Sequence, residues 1–287
     1  MTARDPQPSP SAPHGPSPAP RRIEVPVQSP LSSPPSLPAA GLESVVRLTA
    51  DGPRSLRLAD LARAMGRSRN HAARELTAIP EDDLGRMLSS PRTLLVEGTT
   101  DQAVLGSLLG RCGDALSLVQ PAGSKTRLAV LHHLHLALGI PHHVLFDGDG
   151  GPIGGSSAAR HRALRSRRGA TEALLAALRS AESSDDPTED PTADWGFGGP
   201  TVVGRTWSAL GIDLEDELSR WPSFMAALGR LGGDLAAKRP QRLAAASAAA
   251  EMTDLPSSFR GICAAVAALE PDLPPPPQRA RGGGAGA

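Results

Sequence analysis

The 287-residue sequence contains no tyrosine, and aromatic residues make up only 2% of it. Its two cysteines, Cys112 and Cys263, are too few for a disulfide framework or a zinc motif built on cysteine pairs. No apolar run approaches the ~18 residues of a membrane-spanning helix, and the first residues lack the apolar segment of a secretory signal. These absences favour a reducing compartment, and we expect a cytoplasmic protein without a membrane partner.

Charge of one sign does not dominate the chain, because the formal net charge is zero. Electrostatic capture of nucleic acid by the whole chain is therefore not expected, although a local basic patch remains compatible with this balance. Lysine is almost absent, since Lys125 and Lys238 are the only lysines among 30 basic residues. A lysine offers a compact ammonium where arginine offers a planar fork, so each lysine is a candidate for a specific role.

Composition divides the chain into five parts. Residues 1–41, rich in Pro, Ser and Ala, and residues 271–287, rich in Pro and Gly, are predicted to be disordered tails. Residues 42–90 are predicted to be a small, mostly helical segment, 91–245 the main domain, and 246–270 a C-terminal helix. Two helices of the small segment could form a helix-turn-helix, but a small helical appendage is the favoured interpretation.

The main domain begins with alternating strands and helices. The apolar runs "TLLV", "LSLV" and "HHVLF" are typical of buried strands, and "DQAVLGSLLGRCG" and "SKTRLAVLHHLHLALG" between them are typical of helices. A β-α-β-α-β order predicts an α/β fold in which helices flank a parallel sheet with right-handed crossovers. A basic helix over about 158–180 and a strand within "TVVGRTW" are predicted to follow.

Carboxylates follow two of these strands. Glu97 comes directly after "TLLV", Asp101 follows four residues later, and Asp147 and Asp149 end "HHVLFDGDG". Because the carboxyl ends of parallel strands share one edge, these acids are expected to meet there. Unpaired acids would repel one another strongly. A D-G-D sequence alone is more often a turn, but acids at two strand ends indicate a site for Mg²⁺ or Mn²⁺, which prefer oxygen ligands.

The stretches "LLVEGTTDQAVL", "PAGSK" and "LGIPHHVLFDGDG" resemble the TOPRIM domain, in the version found in overcoming-lysogenization-defect (OLD) family nucleases. The resemblance covers about residues 90–245 and implies a TOPRIM-type, Rossmann-like sheet. By resemblance, the metal ligands are Glu97, Asp101, Asp147 and Asp149, and the later motif "GIDLEDEL" adds Glu215, with Asp213 as a further candidate. A C-terminal lysine of that family matches Lys238 in "LAAKRPQRL".

The resemblance implies a nuclease that hydrolyses phosphodiester bonds with Mg²⁺ or Mn²⁺, acting on DNA more readily than on RNA. Two ions are expected, one to activate water and one to stabilise the leaving 3′ oxygen. Lys238 would neutralise charge in the transition state. The implied catalytic residues are Glu97, Asp147, Asp149 and Lys238.

Other members of the wider TOPRIM group are less compatible with the sequence. Topoisomerases that link covalently to DNA through tyrosine are excluded, because the chain has none. The zinc-binding and polymerase extensions of primases are not visible, whereas a ribosomal RNA maturase remains an alternative. No Walker A pattern G-x-x-x-x-G-K-[ST] occurs, so the ATPase of OLD proteins is not predicted here and a separate ATPase partner is possible. A non-catalytic nucleic-acid- or metal-binding subunit of such an ATPase is the second hypothesis.

Basic residues beside the acids are candidates for contacts to nucleic acid. The stretch "ARHRALRSRRG" follows the D-G-D loop, and a solvated helix face is an equally good interpretation of it. Lys125 could hold a phosphate or lie on the surface at the start of a helix. The predicted nucleic-acid contacts are Lys125, Arg162, Arg165 and Arg168.

Two further groups are interpreted as structural. Five histidines between residues 132 and 143 fall on different faces of a helix and in a strand, which favours packing or surface positions over a zinc site. Trp195, Phe197 and Trp207 are expected to pack in the core, although base stacking is an alternative.

Overall fold

The computed structural model describes residues 21–26, 42–49, 52–181 and 191–271. Most of the two predicted tails, residues 1–20, 27–41 and 272–287, lies outside the described residues. None of the described helices is both long and apolar enough to cross a bilayer.

A small three-stranded sheet precedes the main domain. It consists of β1 (Arg21–Pro26), β2 (Leu42–Thr49) and β3 (Gly52–Arg57), and β2 pairs parallel with β1 and antiparallel with β3. The strand β1 departs from the prediction of a tail over residues 1–41, because its backbone finds hydrogen-bonding partners along β2. The predicted helical segment therefore also contains strands.

The main domain is a five-stranded sheet in the order β5-β4-β6-β8-β7. Its strands are β4 (Arg92–Val96), β5 (Ser117–Pro121), β6 (His142–Asp147), β7 (Val202–Val203) and β8 (Trp207–Leu210). All pairs are parallel except β7 with β8. The prediction of an α/β fold with helices flanking a parallel sheet is confirmed, with one antiparallel strand at its edge.

Helices cover both faces of the sheet. They are α1 (Leu58–Ala64), α2 (Arg69–Thr77), α3 (Glu81–Ser89), α4 (Thr99–Arg111), α5 (Lys125–Leu138), α6 (Ser157–Ala181), α7 (Leu214–Ser219), α8 (Pro222–Arg230), α9 (Pro240–Ala249) and α10 (Ser257–Ala267), with a short 3₁₀ helix at Leu235–Ala237. Residues 246–270 were predicted to be one helix, but Ala250 to Pro256 separate α9 from α10.

Alternate side chains of the strands enter two separate cores. Leu95 of β4 packs with α5, α6 and the N-terminal helices, whereas Leu94 and Val96 pack with α4 and the helices after β8. This alternation is what a strand buried on both faces requires. Trp195 and Trp207 are buried in the first core, as predicted, while Phe197 is only half-buried.

A buried arginine ties the small sheet to the main domain. Arg47 of β2 donates hydrogen bonds to the carbonyl oxygens of Leu88 (3.0 Å) and Ser90 (3.0 Å) after α3, and to that of Gly139 (3.3 Å) at the end of α5. Helix ends leave carbonyl groups without intrahelical partners, and the guanidinium supplies donors for several of them at once. The N-terminal segment is thus anchored to the helix that carries Lys125 at its other end.

Candidate metal centre

The candidate site lies where the strand order of the main sheet reverses. The chain passes from β4 to β5 on one side and then to β6 on the other side of β4. The loops that follow β4 and β6 therefore diverge, which opens a crevice beyond their carboxyl ends. Glu97 is the first residue after β4, and Asp147 is the last residue of β6.

A backbone contact brings the third acidic segment to the same place. After β6, the amides of Gly148 and Asp149 donate hydrogen bonds to the carbonyl oxygens of Leu210 (2.6 Å) and Ile212 (3.0 Å), just past β8. A Cβ on Gly148 would collide with the carbonyl oxygens of Leu210 and Gly211, so only glycine fits. This close approach places the D-G-D loop beside the motif that begins at Asp213.

Glu97 and Asp149 share a lysine. The Lys125 ammonium lies 2.8 Å from Oε1 of Glu97 and 2.5 Å from Oδ2 of Asp149, and Glu97 Oε1 also accepts the amide of Asp147 at 2.8 Å. Lys125 is only 6% exposed. Burial lowers the pKa of Lys125, but the two carboxylates outweigh it and the net pKa is raised. The ammonium is held by two carboxylates in this structure, and its contact with a phosphate stays a prediction.

Asp147 lies at the centre of the acids. Burial, reinforced by repulsion from Glu97, Asp101 and Asp213 and opposed by Lys125, raises the pKa of Asp147 to about 9. Without a further cation this carboxyl therefore holds a proton at neutral pH. Its electrostatic partners come from three separate segments of the chain.

Asp101 combines a structural contact with a place in the cluster. Its Oδ2 accepts the amide of Gly98 at 2.7 Å, which caps the start of α4. Burial and the nearby Glu97 and Glu215 raise the pKa of Asp101 to about 6, although the hydrogen bond from Gly98 and the charge of Lys238 oppose this.

The later motif completes the group. Asp213 is the N-cap of α7 and accepts the amide of Asp216 at 2.9 Å, so one of its oxygens is occupied. Glu215 Oε2 lies 2.8 Å from the ammonium of Lys238, whose side chain is 58% exposed. Although burial lowers the pKa of Lys238, Glu215, Asp213 and Asp147 together raise it. All six predicted acids and both lysines thus lie within electrostatic reach of this rim.

Backbone strain also concentrates here. Among the described residues, Asp149 (φ 56°) and Lys238 (φ 43°) are the non-glycine residues with positive φ. Such conformations are disfavoured for residues with a Cβ, and they collect at functional sites where the surrounding structure enforces them.

The basic stretch after the D-G-D loop is helical, as predicted. Arg162, Arg165 and Arg168 of α6 are exposed, and the Arg168 guanidinium lies 5.4 Å from the centre of the Phe197 ring. Arg167 approaches Oδ1 of Asp149 to 3.8 Å and was not singled out among the predicted contacts. Only the position of α6 relative to the loop reveals which arginine faces the acids.

The chemical type of the donor groups suits a hard divalent cation, but their arrangement in this structure does not. Every candidate ligand is a carboxylate, the type that Mg²⁺ and Mn²⁺ prefer. In the described part of the chain, however, no three His, Cys, Asp or Glu side chains are grouped as a ready-made metal site. The two lysines supply the balancing positive charge, so ion binding requires side-chain movement around Glu97, Asp149 and Glu215.

The histidines are not part of this site. His132 and His135 are buried at the junction of α5 with β6, where His142 Nε2 lies 2.8 Å from His132 Nδ1, and His143 is buried beside Ser208 of β8, as the packing interpretation predicted.

Two solved structures are similar to parts of this chain. The C-terminal region of the Burkholderia pseudomallei OLD protein is 14% identical, with 62% of this chain and 97% of that chain covered at a TM-score of 0.40. The C-terminal region of the Xanthomonas campestris pv. campestris OLD protein is 13% identical, with coverages of 63% and 94% and a TM-score of 0.41. A search of the curated proteins finds no match.

The family model of the TOPRIM domain of proteins similar to the overcoming lysogenization defect protein matches residues 89–149. These residues contain β4, β5 and β6 together with Glu97, Asp101, Asp147 and Asp149. The resemblance predicted from the sequence is thereby confirmed over residues 89–149, which are similar to the TOPRIM domain of the OLD proteins.

Proposed function

We propose that this protein is a metal-dependent nuclease that hydrolyses phosphodiester bonds, with DNA favoured over RNA as substrate. The observation that carries the proposal is the convergence of carboxylates from three chain segments on the half-buried Asp147, at the switch point of a TOPRIM-type sheet. Burying mutually repelling acids costs free energy that the fold does not need, so a functional reason is required.

The resident ions in this proposal are Mg²⁺ or Mn²⁺, and the two groups of acids correspond to two ions. Bound there, they supply ionisation of the attacking water and neutralisation of the leaving 3′ oxygen. One group would be Glu97, Asp147 and Asp149, and the other Asp101, Asp213 and Glu215.

The chain's own cations have separate roles in the proposal. Lys125 balances Glu97 and Asp149 in the free protein and holds them at the rim. Lys238, which is exposed and held only by Glu215, is placed to neutralise charge on the phosphate in the transition state. Arg162, Arg165 and Arg168 of α6 would attract the nucleic-acid backbone.

Nicking of supercoiled plasmid tests the proposal. We expect cleavage in Mg²⁺ or Mn²⁺, none in chelator, and a loss of about 100-fold or more for Asp147→Asn and Glu97→Gln, because each removes a carboxylate from the ion site. Glu172→Gln is the matched control, since it neutralises an exposed acid of α6 outside the cluster. Cleavage by Asp147→Asn at the rate of the parent protein would overturn the assignment.

The second candidate is a non-catalytic subunit that binds nucleic acid or metal beside a separate ATPase. The observation that favours it is that Lys125 and Lys238 already neutralise three of the acids, Glu97, Asp149 and Glu215. In that case calorimetry would detect Mn²⁺ or oligonucleotide binding, but plasmid would stay intact under all partner-free conditions. Cleavage by the purified chain would exclude this candidate.

A further inference from the structure

A cavity of about 350 Å³ opens beside the acid cluster, at the start of α6. Its lining residues are Gly151, Ile153, Ser157, Arg160, His161 and Leu164. Gly151 is two residues beyond Asp149, so the cavity and the candidate metal centre share one loop. Ligand pockets of small molecules begin at about this size.

The helix geometry aligns the cavity with the acids. Arg160, Leu164 and Arg167 follow one another at helical spacings of four and three residues, which places them on one stripe of α6. Arg167 at one end of this stripe approaches Asp149, and Arg160 and Leu164 at the other end line the cavity. Arg162, two residues from Arg160, lies on the opposite side of the helix.

The lining combines an apolar wall with a cationic rim. Ile153 is half-buried, and Leu164 leaves 40% of its surface exposed, so both offer apolar surface to the cavity. Arg160 forms no ion pair with any described residue, and His161 has only a 3.5 Å contact with Ser157. No acidic residue lines the cavity.

We propose that this cavity is a nucleotide subsite, in which a base lies against Ile153 and Leu164 while Arg160 and His161 contact the adjoining phosphate. Apolar side chains pack against the face of any base through the hydrophobic effect, and an arginine beside them neutralises the backbone. A phosphate alone would leave the apolar wall uncovered, and an apolar peptide would leave Arg160 without a partner. The subsite rests on the proposed nuclease function and would hold a nucleotide next to the scissile phosphate.

Two ligands of equal charge separate base contacts from phosphate contacts. Pentathymidylate and a five-unit abasic strand carry the same phosphates, and only the first carries bases. In chelator, so that no cleavage occurs, we expect the protein to bind pentathymidylate several-fold more tightly, because a base packed against Ile153 and Leu164 buries apolar surface. Fluorescence anisotropy measures both affinities.

The variants locate the base contact. Leu164→Ser removes the apolar wall without changing charge and is expected to abolish the preference for base-bearing strands. Arg160→Ala should weaken the binding of both strands and reduce competition by thymidine 5′-monophosphate, which probes the binding of a single free nucleotide. Arg162→Ala removes the same charge from the other side of α6, so it should weaken both strands equally and keep the preference. Circular dichroism checks that each variant is folded.

Several results would overturn the subsite. Equal binding of the two strands by the parent protein, or an undiminished preference in folded Leu164→Ser, contradicts it. Competition by the mononucleotide that persists in both Leu164→Ser and Arg160→Ala does so as well. These outcomes are independent of the plasmid assay, because a nuclease with an intact acid cluster would still nick DNA if the cavity held no base.

Discussion

Single residues at the rim serve both the fold and the chemistry that we propose. Asp101 caps α4 and belongs to the acid cluster, and Asp213 caps α7 beside it. Asp149 adopts a left-handed backbone conformation while it pairs with Lys125. Each of these residues is therefore constrained twice, by local backbone geometry and by its charged neighbours.

Gly148 gives the sharpest prediction at this scale. A Cβ there would lie 2.8 Å from the carbonyl oxygen of Gly211 and still closer to that of Leu210. Because backbone on both sides must shift, Gly148→Ala should lower the free energy of unfolding by about 1–3 kcal/mol and reduce plasmid nicking. Urea titration followed by circular dichroism measures the first effect.

Gly154→Ala is the matched control for that loop. A Cβ on Gly154 meets no atom within 4 Å, so its free energy of unfolding should stay within about 0.5 kcal/mol of the parent value. Similar losses of unfolding free energy in the two variants would show that the close approach of the loop to β8 is not what restricts residue 148 to glycine.

At the scale of helices and strands, the packing of α5 on β6 explains why histidines gather away from the acid cluster. His132 and His135 of α5 and His142 of β6 meet where the helix packs on the strand, whereas Nε2 of His143 lies 2.8 Å from the hydroxyl of Ser208 in β8. Burial lowers the pKa of His132 to about 3 and those of His142 and His143 to about 4, and it places that of His135 well below its usual value. The helix and strand therefore pack through neutral imidazoles.

The free energy of unfolding should depend on pH through these buried histidines. The unfolded chain binds protons on these histidines below about pH 6.5, whereas the folded chain does not until much lower pH. Stability is thus complete above pH 6.5 and is lost as the pH falls. Between pH 7.5 and pH 5 we expect a loss of about 2 kcal/mol for each histidine that stays neutral, measured by urea unfolding across this range.

Variants assign that loss to the buried group. His143→Gln replaces a buried imidazole and should reduce the difference in unfolding free energy between pH 7.5 and pH 5. His161→Gln changes an exposed histidine and should leave the difference unaltered. A parent protein that is equally stable at both pH values would contradict the linkage.

At the scale of the molecule, the helices after β8 pack with α4 and complete the second hydrophobic core. α9 packs against α4, and Arg92 of β4 donates hydrogen bonds to the carbonyl oxygens of Ala267 (3.1 Å) and Leu269 (2.9 Å) at the end of α10. The same guanidinium pairs with Asp114 at 2.8 Å. The C-terminal part is therefore integral to the domain rather than an appendage.

The two cysteines meet at this corner. Exposed Cys112 ends α4 near Cys263 of α10, and burial, followed by the neighbouring Cys112, raises the pKa of the Cys263 thiol. We expect diamide to oxidise the pair to a disulfide within one chain, with a higher melting temperature because the bridge closes a long loop. Intact mass after alkylation measures the free thiols, and Cys112→Ser is the control. Diamide-treated protein in which both thiols can still be alkylated would contradict this prediction.

The sequence predicted the part of this structure that depends on local pattern. Strands β4, β5 and β6, and the acids that follow β4 and end β6, could be read from apolar runs and their boundaries. Lys125 was not assigned its partners, because its contact with Glu97 exists only once β5 lies beside β4. The predicted strand in "TVVGRTW" is in fact an edge hairpin whose second strand, β8, pairs with β6. Such pairings depend on tertiary packing, which periodicity does not encode.

The insertion of β8 between β6 and β7 has a consequence for synthesis. A ribosome that has completed only the first 200 residues has produced β4, β5 and β6, but neither Asp213 and Glu215 nor Lys238. A nascent chain would therefore carry an unfinished rim, and the sheet cannot take its final form until β8 emerges. If the protein cuts DNA, cleavage competence would arise only after Lys238 has been synthesised.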